Sequence, residues 1–123
     1  MRYLTPRKRA ERRGSARSGT EDHWYMTVSA VALAFLIPTF MIIFGRALGG
    51  TREEVIAAFS HPFAAILTAL VLFVSMNHFW RGAAMMLQDY TKGSVLKGLI
   101  ILAISVSYLI MAVGFFALAR MAL

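Results

Sequence analysis

Three long stretches of this chain carry almost no charge, and short polar clusters separate them. The first runs from Trp24 to Phe44, inside an interval from Arg17 to Arg46 that contains no lysine or arginine. The second runs from Pro62 to Leu87 and the third from Val95 to Ala119. A helix rises about 1.5 Å per residue, so about 20 apolar residues cross the hydrocarbon core of a bilayer. The pattern therefore predicts an all-α membrane protein with three transmembrane helices over residues 24–44, 62–87 and 95–119. Trp24 and Tyr25 stand at the start of the first span, where amphipathic rings favour the membrane interface. Pro38, inside that span, lacks a backbone donor and predicts a kink.

The connections carry their own signals. Gly49 and Gly50 end the first helix, and Thr51-Arg52-Glu53-Glu54 opens a short capped helical segment that continues to Phe59. Ser60-His61-Pro62 starts the second span, with proline near the first helical turn. The link from Asp89 to Ser94 is so short that the second and third spans form an antiparallel hairpin, giving an up-down-up order.

Charge adds an orientation. Of 13 basic residues, Arg2, Arg7, Lys8, Arg9, Arg12, Arg13 and Arg17 precede the first apolar run, and the net charge is +7. Residues 1–20 read as a basic tail with little fixed structure of its own, and residues 21–123 as the membrane domain. Thr20, Glu21 and Asp22 offer a helix start, with acids at the positive end of the helix dipole. Because three apolar spans follow, the tail reads as a topology signal rather than a nucleic-acid arm. Lys92 and Lys97 flank the second link, whereas Arg46, Arg52 and Arg120 lie at the other ends. The positive-inside rule then puts the N-terminus and the 89–94 link in the cytoplasm and the C-terminus outside. A bacterial inner membrane is the expected location. A mitochondrial inner membrane is the alternative, because residues 1–19 also partly resemble a transit peptide. The chain is 59% hydrophobic, too apolar for an ordinary soluble domain, and it contains no cysteine. Disulfides, thiolate-bound metals, iron–sulfur clusters and thiol nucleophiles are thereby excluded.

Candidate chemistry collects between Asn77 and Lys92, in the run N-H-F-W-R-G-A-A-M-M-L-Q-D-Y-T-K. On a helix turning about 100° per residue, Ser75, His78, Arg81, Gly82, Met85 and Asp89 fall on one face. Ionisable residues in a membrane span face protein, water or a cofactor rather than lipid. The glycine on that stripe permits close approach by something flat or by another helix. His78 precedes Asp89 by eleven residues, or roughly 16 Å along the axis, so it sits near mid-membrane if Asp89 marks the inner rim. Taken singly, these residues leave several roles open. His78 can hydrogen-bond across a helix interface, ligate a haem or relay protons. Asp89 can be a solvated helix end, Tyr90 an interfacial anchor, and Arg81 a side chain reaching for headgroups.

The spacing H-x3-G-x6-D-Y, carried by His78, Gly82, Asp89 and Tyr90, resembles the second helix of the small hydrophobic D-type anchor subunit of succinate dehydrogenase, respiratory complex II. The start G-T-E-D-H-W at Gly19 to Trp24, the basic N-terminus, the length and the three spans are also like that family. The resemblance implies that His78 is an axial ligand of a haem b, and hence of its iron, shared with a partner C-type cytochrome b anchor subunit. It implies that Tyr90 hydrogen-bonds a ubiquinone carbonyl and that Asp89 supports that site. Members often carry an arginine shortly after the His-Trp pair. Here that region reads Met26-Thr27-Val28-Ser29, and Arg81 becomes the candidate propionate contact. Flavin and clusters would belong to a flavoprotein and an iron–sulfur subunit, within a succinate:quinone oxidoreductase of the respiratory chain and tricarboxylic acid cycle. No residue here activates succinate, so the chain is non-catalytic alone. The alternatives are a structural anchor or assembly protein without haem, the equivalent anchor of a fumarate reductase, and a small transporter or regulator using Asp89.

Overall fold

The computed structural model describes Pro6 and residues 19–123. The expectation of an unstructured basic tail over residues 1–20 lies almost wholly outside them. Four helices follow in order: α1 (Gly19–Ala47), α2 (Arg52–Ser60), α3 (Pro62–Tyr90) and α4 (Gly93–Ala122). Three of them, α1, α3 and α4, are long and apolar enough to cross a membrane. The fold is thus an all-helical one with three candidate spans, as the hydropathy pattern predicts.

Local chemistry sets the boundaries. Gly49 takes a positive φ of 80°, a conformation that glycine adopts without steric cost, and the chain turns there out of α1. Thr51 caps α2: its hydroxyl accepts from the Glu54 amide at 3.3 Å, while the Glu54 carboxylate accepts from the Thr51 amide at 2.8 Å. This reciprocal capping box satisfies two amides that the first turn leaves free. Proline at the first turn of α3 has no amide to leave unpaired. Between α3 and α4 only Thr91 and Lys92 are non-helical, and Gly93 takes a φ of 65°. Pro38 lies inside α1, whose helix runs unbroken from Gly19 to Ala47.

The bundle is organised around α3, which packs on both α1 and α4, while α2 touches all three. Partners across the interfaces run in opposite directions: Ser29 and Arg81's partner Asp22 on α1 meet the C-terminal half of α3. On the other side Leu72 faces Gly114, and Asn77 faces Met111. A Cβ on Gly114 would run into the Leu72 Cδ2, so α4 lies on α3 through a missing side chain.

Burial is that of a membrane bundle. Ser29, Asn77 and Ser107 are buried, and Ser107 is fully enclosed. Large apolar side chains such as Phe35, Ile66, Phe79, Leu109 and Phe116 point outward, each more than half exposed. Water would penalise such a surface heavily, whereas lipid or apolar partner helices would not. Phe59, Leu67, Val71, Met111 and Leu118 supply the buried apolar core, and Ser29, Asn77 and Ser107 are accommodated within it because their side chains bond backbone carbonyls.

Candidate functional site

His78 sits just past the midpoint of α3. Its Nδ1 lies 2.7 Å from the Ser29 Oγ of α1. The Ser29 hydroxyl also lies 2.7 Å from the Tyr25 carbonyl oxygen, four residues earlier on its own helix, and 3.2 Å from that of Met26. Among the described residues nothing hydrogen-bonds the other ring nitrogen, Nε2, and that atom is not sealed inside the bundle. The cross-helix role open to a membrane histidine is therefore met by one nitrogen, and the second is left for another partner.

One turn further along α3, Arg81 turns back along α1. Its Nη1 donates to the Asp22 carboxylate at 3.2 Å. The guanidinium carbon lies 4.1 Å from the centroid of the Tyr25 ring and 4.9 Å from that of Trp80. The Nε–H of Arg81 is enclosed and has no acceptor. A buried unpaired donor costs about 1–3 kcal/mol, so this cation is incompletely satisfied by the described residues. Gly82 is the cradle beside it: a Cβ there would stand 3.2 Å from the Met26 Cε. Of the two uses that the sequence leaves for this glycine, close approach of another helix is the one observed, and a flexible methionine tip fills the space.

Asp89 and Tyr90 end α3, both exposed, Tyr90 at 82%. They do not meet His78. Twelve residues of helix separate Tyr90 from it, or about 18 Å, so any chemistry at the two ends is separated by depth. Ser75 leaves the face on which the helical wheel puts it. Its hydroxyl bonds the Val71 carbonyl, and the side chain lines a cavity of about 430 Å³ with Phe40, Phe59, Leu72, Gly114 and Leu118. That cavity lies in the opposite half of the bundle and contains none of the other candidate residues. A 100° wheel places residues about one axis but does not say which neighbour each sector meets.

Three participants escaped the sequence reading as site residues: Ser29, Asp22 and Tyr25 of α1. A further one, Asn77, is buried beside the site, donating to the Phe73 carbonyl at 2.9 Å and accepting from the Trp80 indole at 3.3 Å. Asp22 and Tyr25 stood out only as a helix start and an interfacial aromatic. Nothing distinguishes Ser29 locally from the other serines of the spans.

The match to a family model described as the succinate dehydrogenase/fumarate reductase transmembrane subunit extends over residues 1–115. The chain belongs to that family. It is 49% identical over all 123 residues to the succinate dehydrogenase hydrophobic membrane anchor subunit of Paracoccus denitrificans, covering 95% of that protein. No solved structure matches the chain. Family membership and three apolar spanning helices together make this a multi-pass membrane protein.

Proposed function

We propose that the chain is the membrane anchor subunit of a succinate dehydrogenase, giving His78 to the iron of a b-type haem and Tyr90, with Asp89, to a ubiquinone site. The observation that carries this reading is the state of His78. It is a mid-span histidine held through Nδ1, whose Nε2 has no hydrogen-bond partner among the described residues. Whole-length similarity to a succinate dehydrogenase anchor supports it independently.

The residues fit a haem better than a bare metal ion. Among the described residues no three His, Asp or Glu side chains gather to hold an ion. A single imidazole suffices where a porphyrin supplies four nitrogens and a partner subunit the sixth ligand. The unpaired Nε–H of Arg81 is a donor suited to a propionate. When bound, such a haem holds one electron at a potential set by its axial ligands and burial. His78 binds and orients. Arg81 offers positive charge from a site shielded by Tyr25 and Trp80.

Reducing a quinone to a quinol takes two electrons and two protons. The Tyr90 phenol donates a hydrogen bond to a carbonyl oxygen, polarising it, and the exposed Asp89 carboxylate, next to it in the chain, relays protons between water and the site. Both residues are exposed at the end of α3 that the positive-inside rule puts at the cytoplasmic face, where quinone heads and water meet. The electrons come from soluble flavoprotein and iron–sulfur subunits, since this chain has no cysteine for a cluster. A C-type anchor subunit would bring the second axial histidine, and the exposed apolar faces suit that partner and lipid.

The decisive experiment is His78→Ala in the purified complex. A reduced-minus-oxidised spectrum should lose its b-type bands while the subunits still assemble. The competing reading, a structural histidine, rests on the same Ser29 contact and predicts an unchanged spectrum.

A further inference from the structure

We propose that Ser29 is a positioning residue that fixes the tautomer of His78, so that the ring carries its proton on Nδ1 and presents a lone pair at Nε2. This rests on the reading of His78 as a haem ligand.

The argument is a count of hydrogens. The Ser29 Oγ lies 2.7 Å from the Tyr25 carbonyl oxygen. Two oxygens at that distance need a hydrogen between them, and a carbonyl has none to give. The one hydroxyl hydrogen of Ser29 is therefore spent on its own helix, with the Met26 carbonyl at 3.2 Å as a weaker second acceptor. The Oγ also lies 2.7 Å from the His78 Nδ1. With the serine hydrogen used, only an Nδ1–H can make that contact a hydrogen bond. In the other tautomer Ser29 would donate to Nδ1, and its close approach to the Tyr25 carbonyl would be an unbridged contact between lone pairs. The geometry thus puts a ring proton on Nδ1 and leaves Nε2 as the nitrogen that offers its lone pair when a metal binds.

The contact also sets orientation. Ser29 is buried, with 5% exposure, and two carbonyls of its own helix hold the hydroxyl. It anchors the imidazole plane from α1, while Arg81 reaches the same helix one turn away at Tyr25 and two turns away at Asp22. Metal-binding histidines generally donate the second ring N–H in this way, which fixes the ring and raises ligand basicity.

The test uses the assembled complex, with Ser29→Ala, Ser29→Thr and His78→Ala. Alanine removes the acceptor, adds no bulk and favours helix, so the complex should assemble. Two readouts apply: the rate of haem transfer to a haem-free globin, and the low-spin g values in electron paramagnetic resonance, which report the mutual orientation of the axial rings. Loss of an outer partner generally costs about 10- to 100-fold in metal affinity, so Ser29→Ala should release haem faster by about that factor and should shift the largest g value. Ser29→Thr keeps the hydroxyl and should restore both. Release within twofold of the unaltered complex and unchanged g values for Ser29→Ala would overturn the proposal, as would a loss that threonine fails to restore. If His78→Ala keeps the b-type spectrum, the ligand reading fails and this inference with it. If His78→Ala loses haem while Ser29→Ala behaves as the unaltered complex, only the tautomer assignment fails.

Discussion

Replacing Arg81 with alanine removes a cation whose surroundings nearly cancel in energy. The Asp22 pair is partly open to solvent, with side chains 30% and 46% exposed, so it is worth about 0.2–1 kcal/mol. Stacking on Tyr25 and Trp80 adds about 0.5–1 kcal/mol for each ring. Against these stands the enclosed Nε–H without an acceptor, a penalty of about 1–3 kcal/mol. Gain and penalty agree within their spread. For the chain's own packing, Arg81→Ala should therefore change stability by less than about 1 kcal/mol. In the proposed complex an acceptor such as a haem propionate would meet Nε–H, remove the penalty and add a charge-assisted bond. The assay is thermal unfolding of the purified complex with and without haem, each with Arg81→Ala, Asp22→Ala and the double substitution. The cycle isolates the Arg81–Asp22 coupling. Arg81→Ala should cost about 1–3 kcal/mol more in the haem-loaded complex than in the haem-free one. Equal cost in both would refute the idea that Arg81 waits for an outside acceptor. A coupling to Asp22 well above 1 kcal/mol would refute the weight given to solvent exposure.

Other expectations concern the rim and the packing. Tyr90→Phe keeps the ring and deletes the phenol, so quinone reduction should fall while succinate oxidation by an artificial dye persists. Equal loss of both would remove Tyr90 from the quinone site. Gly114→Ala drives a methyl into Leu72 and should destabilise the complex by about 1–3 kcal/mol as overpacking does. Because the clashing atom is a leucine tip at the edge of a cavity and can shift, the cost should fall at the low end of that range, about 1 kcal/mol, and vanish in a Leu72→Ala background, read as a thermal midpoint. Thr51→Ala breaks the capping box and should weaken α2 by about 1 kcal/mol, or roughly fivefold faster amide exchange in that helix.

The elements of this protein follow from local chemistry. Hydropathy, the Gly49-Gly50 break, the Thr51–Glu54 cap and Pro62 lie within a few residues of the boundaries they set, so reading along the chain finds them. The positions of His78, Asp89 and Tyr90 in one helix, at two depths, are equally local, because a rise per residue converts number into distance. The partners of these side chains are not local. Ser29 and His78 are 49 residues apart, and Asp22 and Arg81 are 59 apart. A serine or threonine in a membrane helix can bond a carbonyl of its own previous turn, as Ser29, Thr39, Thr68 and Ser107 all do. Its sequence gives no sign that a second helix uses its remaining lone pair. The same holds for Ser75, which shares a sector with His78 on a wheel yet lines a cavity that His78 does not. Hydropathy and spacing determined that this is a three-span membrane protein with a histidine at mid-depth. Only the docking of α1 on α3 decided which nitrogen of that histidine is held and which is free, because that contact depends on how two helices rotate against each other and on the number of hydrogens on one hydroxyl.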